Sequence, residues 1–337
     1  MKRVVSINCT ASPEQLRRME EVRRVGRFKV VVSDQVFPTV DIERNLLSSI
    51  DADLIVATGS PDEVMKVAAD ADAILNTYLP WPAESIGRLE NCRIIARYGI
   101  GFDNVDLDAA RTAGIVVTNV PDYSVEEVAV HTLALILAMV RKLFEAERLV
   151  RDGGWAIKSL QPIRRFSELK VGLFGYGRIA RKLAAPIREL GAEIIVHDPY
   201  LKPGPDLPRL VELDDLLAQS DLVSIHAPLT PETRGIIGDR AMSIIKPGSM
   251  LVNTSRGPLV DLNAVTSALQ SGKLRAAALD VFDQEPLDVT RIAGVPNLIA
   301  TPHMAYYSEE SLQESQRKAT TQVIKVLTGE QPDYRVN

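Results

Sequence analysis

The chain has 337 residues, enough for about two domains, with 46% hydrophobic and 25% charged residues, as in an ordinary globular protein. A formal net charge of −5 gives no electrostatic reason to expect nucleic acid or an anionic membrane surface as partner. Two cysteines, Cys9 and Cys92, form no metal-type pair; they read as buried free thiols in a reducing cytoplasm, and no metal centre is expected.

Met1-Lys2-Arg3 is basic, but Val4 to Ile7 is too short for a signal sequence, so Arg3 to Ile7 reads as a first strand. Ser12-Pro13-Glu14-Gln15 then opens a helix with a cap and a first-turn proline, and Gly26 ends it. Strands follow at Phe28 to Ser33, Leu54 to Ala57, Ala73 to Asn76 and Arg93 to Tyr98. Between them lie helices at Asp41 to Ile50, from Ser60-Pro61-Asp62-Glu63 onward, and around Ala83 to Leu89. Such alternation predicts a parallel sheet with helices on both faces. This part has no good phosphate fingerprint, so it is expected to serve a substrate.

Asn104 to Asn119 looks like the crossing into a second domain. Ser124-Val125-Glu126-Glu127 has the form of a capping box before a long apolar helix reaching Arg141. Glu126, Glu127 and His131 interrupt its apolar run, which marks a buried or interface helix and not a membrane span. Arg151 to Phe166 reads as an extended arm.

Leu169 to Asp198 carries the strongest signal. A short apolar run (Val171, Leu173, Phe174) meets Gly175-Tyr176-Gly177-Arg178-Ile179-Ala180, then a helix with Leu183, Ile187 and Leu190, then a strand ending at Asp198. Strand, glycine turn, helix, strand and terminal acid in about 30 residues is the dinucleotide-binding unit. Gly175 permits the tight turn, and Gly177 lets the backbone approach a pyrophosphate at a helix N-terminus. Asp198 can accept from ribose hydroxyls and would repel a 2′-phosphate, which points to NAD rather than NADP.

Further strands are expected at Leu222 to His226, Ser249 to Asn253, Ala276 to Val281 and Asn297 to Thr301, with a closing helix at Ser308 to Thr328. Ligand groups in such sheets collect outside the carboxyl ends of strands, where Arg256, Asp280 and His303 stand. A guanidinium at 256 can hold a carboxylate bidentately, although a surface arginine is the competing reading. Of four histidines, His131 lies in the apolar helix, packed or at an interface. His197 precedes the acid and points to the other strand face, and His226 is in range of the cofactor without an evident proton partner. His303, steadied by Pro302, is the best acid/base candidate. Glu285 could pair with it and favour imidazolium; Asp280, Asp283 and Asp288 compete for that place.

NTSRGPLVD (253–261), ALDVFDQEP (278–286) and TPHMAYYS (301–308) resemble three signatures of the D-isomer-specific 2-hydroxyacid dehydrogenases. Gly99-Ile100-Gly101-Phe102-Asp103-Asn104-Val105-Asp106 and HAPLTPETRG (226–235) resemble two more. The resemblance covers nearly the whole chain. It implies an α/β protein of two doubly wound parallel-sheet domains. A Rossmann NAD domain at 103–303 would be inserted into a flavodoxin-like substrate domain formed by 1–102 and 304–337. It also implies a homodimer built on the helix and arm at about 123–166.

By motif match, Arg256 takes the substrate carboxylate and carbonyl, His303 exchanges the proton, and Glu285 orients and charges His303. The same match implies cofactor contacts from Gly175, Tyr176, Gly177, Arg178, Ile179, Asp198, His226, Ala227, Pro228, Thr233, Thr254, Ser255, Arg256, Asp280 and His303, with Asp280 orienting the nicotinamide carboxamide. Substrate contacts are expected from Tyr78, Leu79, Arg97, Gly99, Ile100, Arg256, His303 and Tyr306, with Trp81 as a further pocket wall.

Residues 97–104, 119–127 and 303–309 resemble the C-terminal-binding protein branch of the family, which includes NAD-sensing corepressors. Ile100 replaces that branch's serine, Val128 a threonine and Tyr306 a tryptophan, and Ala180 stands for the third fingerprint glycine. The expected reaction is hydride transfer between nicotinamide and a small D-2-hydroxy or 2-oxo acid such as glyoxylate or hydroxypyruvate. The alternative is an NAD(H)-sensing binding scaffold. Formate dehydrogenases pair their histidine with glutamine, where Glu285 stands here.

Overall fold

Short apolar runs between helices build two separate parallel sheets. The computed structural model describes residues 5, 6 and 28–337; Cys9 and the helix expected from Ser12 to Gly26 lie outside the described residues. The first sheet holds β1 (Val5–Ser6), β2 (Phe28–Val32), β3 (Ala52–Val56), β4 (Ala73–Asn76), β5 (Ile94–Arg97) and β6 (Val116–Thr118). They run parallel in the order β1-β3-β2-β4-β5-β6. Val30, Ile74, Leu75, Ile94 and Ile95 are fully buried, as befits strands covered on both faces.

Helices α1 (Asp41–Leu47), α2 (Pro61–Ala68), α3 (Ala83–Ile86) and α4 (Leu107–Thr112) connect these strands. The Ser60 hydroxyl accepts from the Glu63 N–H, and the Glu63 carboxylate accepts from the Ser60 N–H at 2.7 Å. A cap of this kind is worth about 1 kcal/mol. Strand β6 lies in the stretch expected to be a crossing. A run of three β-branched residues is too short to tell from a loop without its neighbour β5.

Next come α5 (Val125–Arg141) and α6 (Leu143–Arg151), separated by Lys142 in the left-handed conformation. Ser124 does not cap α5: its ψ is 23°, its side chain makes no cap bond, and its hydroxyl is buried without a partner. The capping-box pattern is present, but Ser124 lacks the extended backbone that aims a hydroxyl at the N3 amide. Helix α5 packs on the second sheet through Ala129, Leu135, Ile136 and Met139.

That sheet comprises β7 (Lys170–Phe174), β8 (Glu193–His197), β9 (Arg209–Leu210), β10 (Leu222–Ile225), β11 (Ser249–Asn253), β12 (Leu274–Leu279) and β13 (Leu298–Ala300). Its order is β13-β12-β11-β10-β7-β8-β9, all parallel, so the winding reverses between β7 and β10. Its helices are α7 (Arg178–Glu189), α8 (Leu213–Gln219), α9 (Asp239–Ile244) and α10 (Leu262–Gln270). The two-residue β9 directly follows Pro208. The closing α11 (Glu309–Thr328), capped by Ser308, returns to pack on α1, β4 and β5.

Contacts divide the chain into one unit running to Tyr123 and resuming at Ser308, and a second at Ser124–Tyr307. Residues 103–123, expected in the nucleotide domain, fall in the first unit because β6 pairs with β5. Among the described residues no helix is long and apolar enough to cross a membrane.

Candidate active site

In the second unit, β7 ends at buried Phe174 and the chain turns at Gly175, whose φ is 89°. A Cβ at 175 would lie 2.7 Å from the His226 carbonyl carbon and oxygen, so the turn admits only glycine. Gly177 is the N-cap of the 12-residue α7, and a Cβ there would meet nothing within 4 Å. No side chain caps α7 and no acid stands in its first turn. The partly positive helix end with its orphan N–H groups thus matches a phosphate. Ile179 is partly buried against the core, Ala180 is fully buried, and Arg178 is exposed.

Asp198 stands just past β8. Its carboxylate accepts from the Tyr176 N–H at 2.9 Å and the Tyr200 N–H at 3.0 Å, which fastens it to the glycine turn. The Tyr176 ring lies under the Arg181 guanidinium, 4.7 Å away.

The loops after β10 and β11 lie alongside. The His226 N–H donates to Phe174 O, and His226 Nε2 meets the Ser224 hydroxyl at 2.9 Å. His226 therefore has a side-chain partner, contrary to expectation, from two residues earlier on its own strand. Burial pushes its pKa down to about 4, so the ring is neutral at neutral pH. The Thr233 hydroxyl donates to Pro228 O at 2.8 Å and closes the following turn. The Ser255 hydroxyl donates to Ala227 O at 2.7 Å, and Thr254 Oγ1 lies 2.8 Å from Thr132 Oγ1 on α5. Arg256 follows, its carbonyl held by Asn253 Nδ2 and its Nη1 donating to Ser255 O.

Glu285 is held at both oxygens. Oε1 accepts from the Phe282 N–H at 2.8 Å, and Oε2 lies 2.7 Å from His303 Nδ1. Burial works to raise the Glu285 carboxyl, but the His303 hydrogen bond and charge, the Phe282 N–H and the Arg256 charge together hold it below the usual value. The rival acids are engaged elsewhere. Asp283 pairs with Arg291 at 2.8 Å, Asp288 accepts from Thr290, and Asp280 is fully buried. Tyr306 meets the His303 ring edge-on at 6.0 Å. The structure thus gathers Glu285 and His303, with Arg256 near enough to act on Glu285 electrostatically.

The other expected substrate residues lie in the first unit. The Leu79 N–H donates to the Asp34 carboxylate at 3.0 Å, as do the N–H groups of Thr77 and Tyr78. Asp34 was missed by sequence reasoning. Its one signal is Ser-Asp directly after β2. Arg97 is buried, its Nη1 donating to Asn76 Oδ1 at 3.2 Å and its Nε to Gly101 O at 2.9 Å. Gly99 O accepts from the Val120 N–H, and Ile100 O from Asn119 Nδ2. Trp81, expected as a pocket wall, is only 1% exposed and belongs to the core, where its backbone pairs with Asn104 and Asp106.

A nucleotide-type glycine turn at a sheet's switch point, with a His–Glu pair and an arginine past the carboxyl ends of other strands of the same sheet, defines a dinucleotide-dependent oxidoreductase architecture. Residues 133–305 match the family described as D-isomer specific 2-hydroxyacid dehydrogenase, NAD binding domain. The D-3-phosphoglycerate dehydrogenase of Mycobacterium leprae is 38% identical over 276 residues, which cover 80% of this chain and 52% of that protein. The chain spans about half the length of the curated relatives it matches. Among solved structures, the TT0316 protein of Thermus thermophilus has a TM-score of 0.82 at 33% identity, covering 92% of this chain and 100% of that one. D-lactate dehydrogenase of Aquifex aeolicus, complexed with NAD and lactic acid, has a TM-score of 0.81 at 29% identity, covering 90% and 96%. The chain belongs to the D-isomer specific 2-hydroxyacid dehydrogenase family, and its second unit contains the family's NAD-binding domain.

Proposed function

We propose that the protein catalyses reversible NAD-dependent hydride transfer between a small D-2-hydroxy acid and its 2-oxo acid. The observation that carries this reading is the 2.7 Å pairing of His303 Nδ1 with Glu285, beside the charge of Arg256. Gly175, Tyr176, Gly177, Arg178 and Ile179 would hold the cofactor's pyrophosphate at the start of α7, and Asp198 its ribose hydroxyls. Residues 226–228, Thr233, Thr254 and Ser255 would flank it. Bound NAD(H) accepts or supplies the hydride at C4 of its nicotinamide. Arg256 fixes the substrate carboxylate through two parallel N–H donors. Because Nδ1 faces Glu285, Nε2 of His303 is the nitrogen that gives its proton to the 2-oxo oxygen. Glu285, ionised, balances the charge of the imidazolium. In reduction the substrate gains one hydride at C2 and one proton at oxygen.

Tyr78, Leu79, Ile100 and Tyr306, proposed to face the substituent on C2, are apolar or aromatic. Arg97 is engaged within the first unit. This supports a compact or apolar substituent, as in glyoxylate or hydroxypyruvate, over a phosphate. Exposed Leu143, Phe144, Trp155 and Ile157 on α6 and the arm support a homodimer, which sedimentation of the intact chain in the analytical ultracentrifuge tests. A reducing cytoplasm suits the free thiol Cys92. The likeness to the C-terminal-binding protein branch rests on its sequence segments. An enzyme and a sensing scaffold of that branch would both carry the His–Glu pair, so turnover discriminates between them.

The test follows NADH oxidation with glyoxylate, hydroxypyruvate, pyruvate and 3-phosphohydroxypyruvate. Turnover that His303→Ala lowers by about 10²–10⁴-fold while NADH still binds supports the reading. Tight NADH binding without turnover of any acid favours the scaffold, and preference for the phosphorylated acid rejects the assigned substituent.

A further inference from the structure

Asp280 organises the segment that presents His303. Its carboxylate is fully buried and accepts from the Thr301 hydroxyl at 2.5 Å, the Met304 N–H at 3.0 Å and the Ala305 N–H at 2.9 Å. Its main-chain oxygen accepts from the His303 N–H at 2.8 Å. These bonds hold His303 at a φ of 52°, a left-handed conformation that a residue with a Cβ keeps only when its surroundings enforce it. The three donors on the carboxylate are neutral. Among the described residues the basic side chain within 4 Å of it is His131 of α5, whose Nε2 lies 3.7 Å from Asp280 Oδ1 and 3.4 Å from Thr301 Oγ1.

The hydrogen-bond directions are fixed by chemistry. The Thr301 hydroxyl has a single proton, which it donates to Asp280 Oδ1. Thr301 Oγ1 can then only accept from His131, which puts a proton on Nε2. The chain therefore runs from His131 through Thr301 to Asp280, and from Asp280 to the backbone on both sides of His303.

We propose that His131 is a positioning residue for the proton-exchanging histidine, acting through Thr301 and Asp280 on the placement of His303 against Glu285. This rests on the reading of His303 given above. A side chain on the long helix thereby sets the geometry of a loop about 170 residues later in the chain.

The test is made in the full chain. His131→Ala should lower kcat for reduction about tenfold or more while KM for NADH stays within about twofold, because a misplaced acid slows the chemical step without weakening cofactor binding. His131→Gln, whose side-chain amide can donate from near the Nε2 position, should recover most of the lost kcat. A kcat for H131A within about twofold of the parent, or H131Q no better than H131A, overturns the proposal. If the His131 variants do not fold by circular dichroism, Thr301→Val should lose kcat and Thr301→Ser retain it; equal kcat values overturn it. A parent enzyme that reduces no 2-oxo acid defeats the proposed function and not this inference. The readout is then the low-field proton resonance of the His303–Glu285 hydrogen bond, assigned by its loss in E285Q. Its shift or disappearance in H131A supports positioning, and an unchanged resonance overturns it.

Discussion

Gly257 and Phe282 meet backbone to backbone: a Cβ on Gly257 would overlap the Phe282 carbonyl. The loop that carries Arg256 is thereby pressed against the loop that carries Glu285. Gly257→Ala must push them apart, at a cost of about 1–3 kcal/mol in stability. The expected outcome is a lower melting temperature together with a fall in kcat/KM for the 2-oxo acid. NADH affinity, read by fluorescence titration, should change less, since the glycine turn at 175–177 lies on other strands. Unchanged stability would mean that the loops part freely.

Glu285→Gln tests the charge in the pair. The wild-type carboxyl titrates below its ordinary value of 4.5, so the stability it contributes is present above that value and disappears as pH falls through the lower folded value. Glutamine has no such limb. It also cannot balance an imidazolium, so the pH–rate profile for reduction should move toward acid. A superimposable profile would count against the pairing.

Glu43 behaves in the opposite sense. It is fully buried in the first unit, where Tyr98 OH donates to Oε1 at 2.8 Å and Gln316 Nε2 donates to both oxygens at 3.0 Å. Burial outweighs these bonds and raises its pKa. A raised folded pKa means that the stabilising contribution is complete below the unfolded value and is lost as pH rises through the folded one. Glu43→Gln should therefore gain more in melting temperature at pH 8 than at pH 5. An equal change at both pH values would show that the carboxyl titrates normally.

Cofactor choice is read from the ratio of kcat/KM with NADH to that with NADPH. A carboxylate near a 2′-phosphate at an intermediate effective dielectric supports a preference on the order of 10²-fold for NADH. Asp198→Asn should reduce it at least about tenfold. Equal use of both cofactors by the parent protein would sink the assignment.

Features carried by a contiguous pattern were legible in the sequence. The 169–198 unit is one: turn, helix and acid depend on neighbours within 30 residues, and the structure places them as the pattern requires. Arg256 and His303 were legible as strand-end residues; the residues alone left Glu285 in competition with three nearby aspartates, the family resemblance singled it out, and the folded loops set it 2.7 Å from His303 Nδ1. Features decided across the fold were not legible. Trp81 reads as a pocket aromatic until its backbone is seen paired with Asn104 and Asp106, which turns the ring inward. Ser124 has the right partner at the right spacing but the wrong ψ. Asp34 binds a loop more than 40 residues away, and no local periodicity encodes such a clamp.

The anchoring of Asp198 has a practical side for redesign. One carboxylate serves as the acceptor for two main-chain amides, at Tyr176 and Tyr200, and is also the group proposed above to discriminate between cofactors. Replacement by alanine or glycine would leave the Tyr176 amide, in a buried residue, without its acceptor, so the phosphate-binding turn would loosen while the selectivity changed. Serine, threonine or asparagine keeps an oxygen at that place. Variants intended to accept NADPH should start from those residues, with the new cation for the phosphate supplied from a neighbouring position.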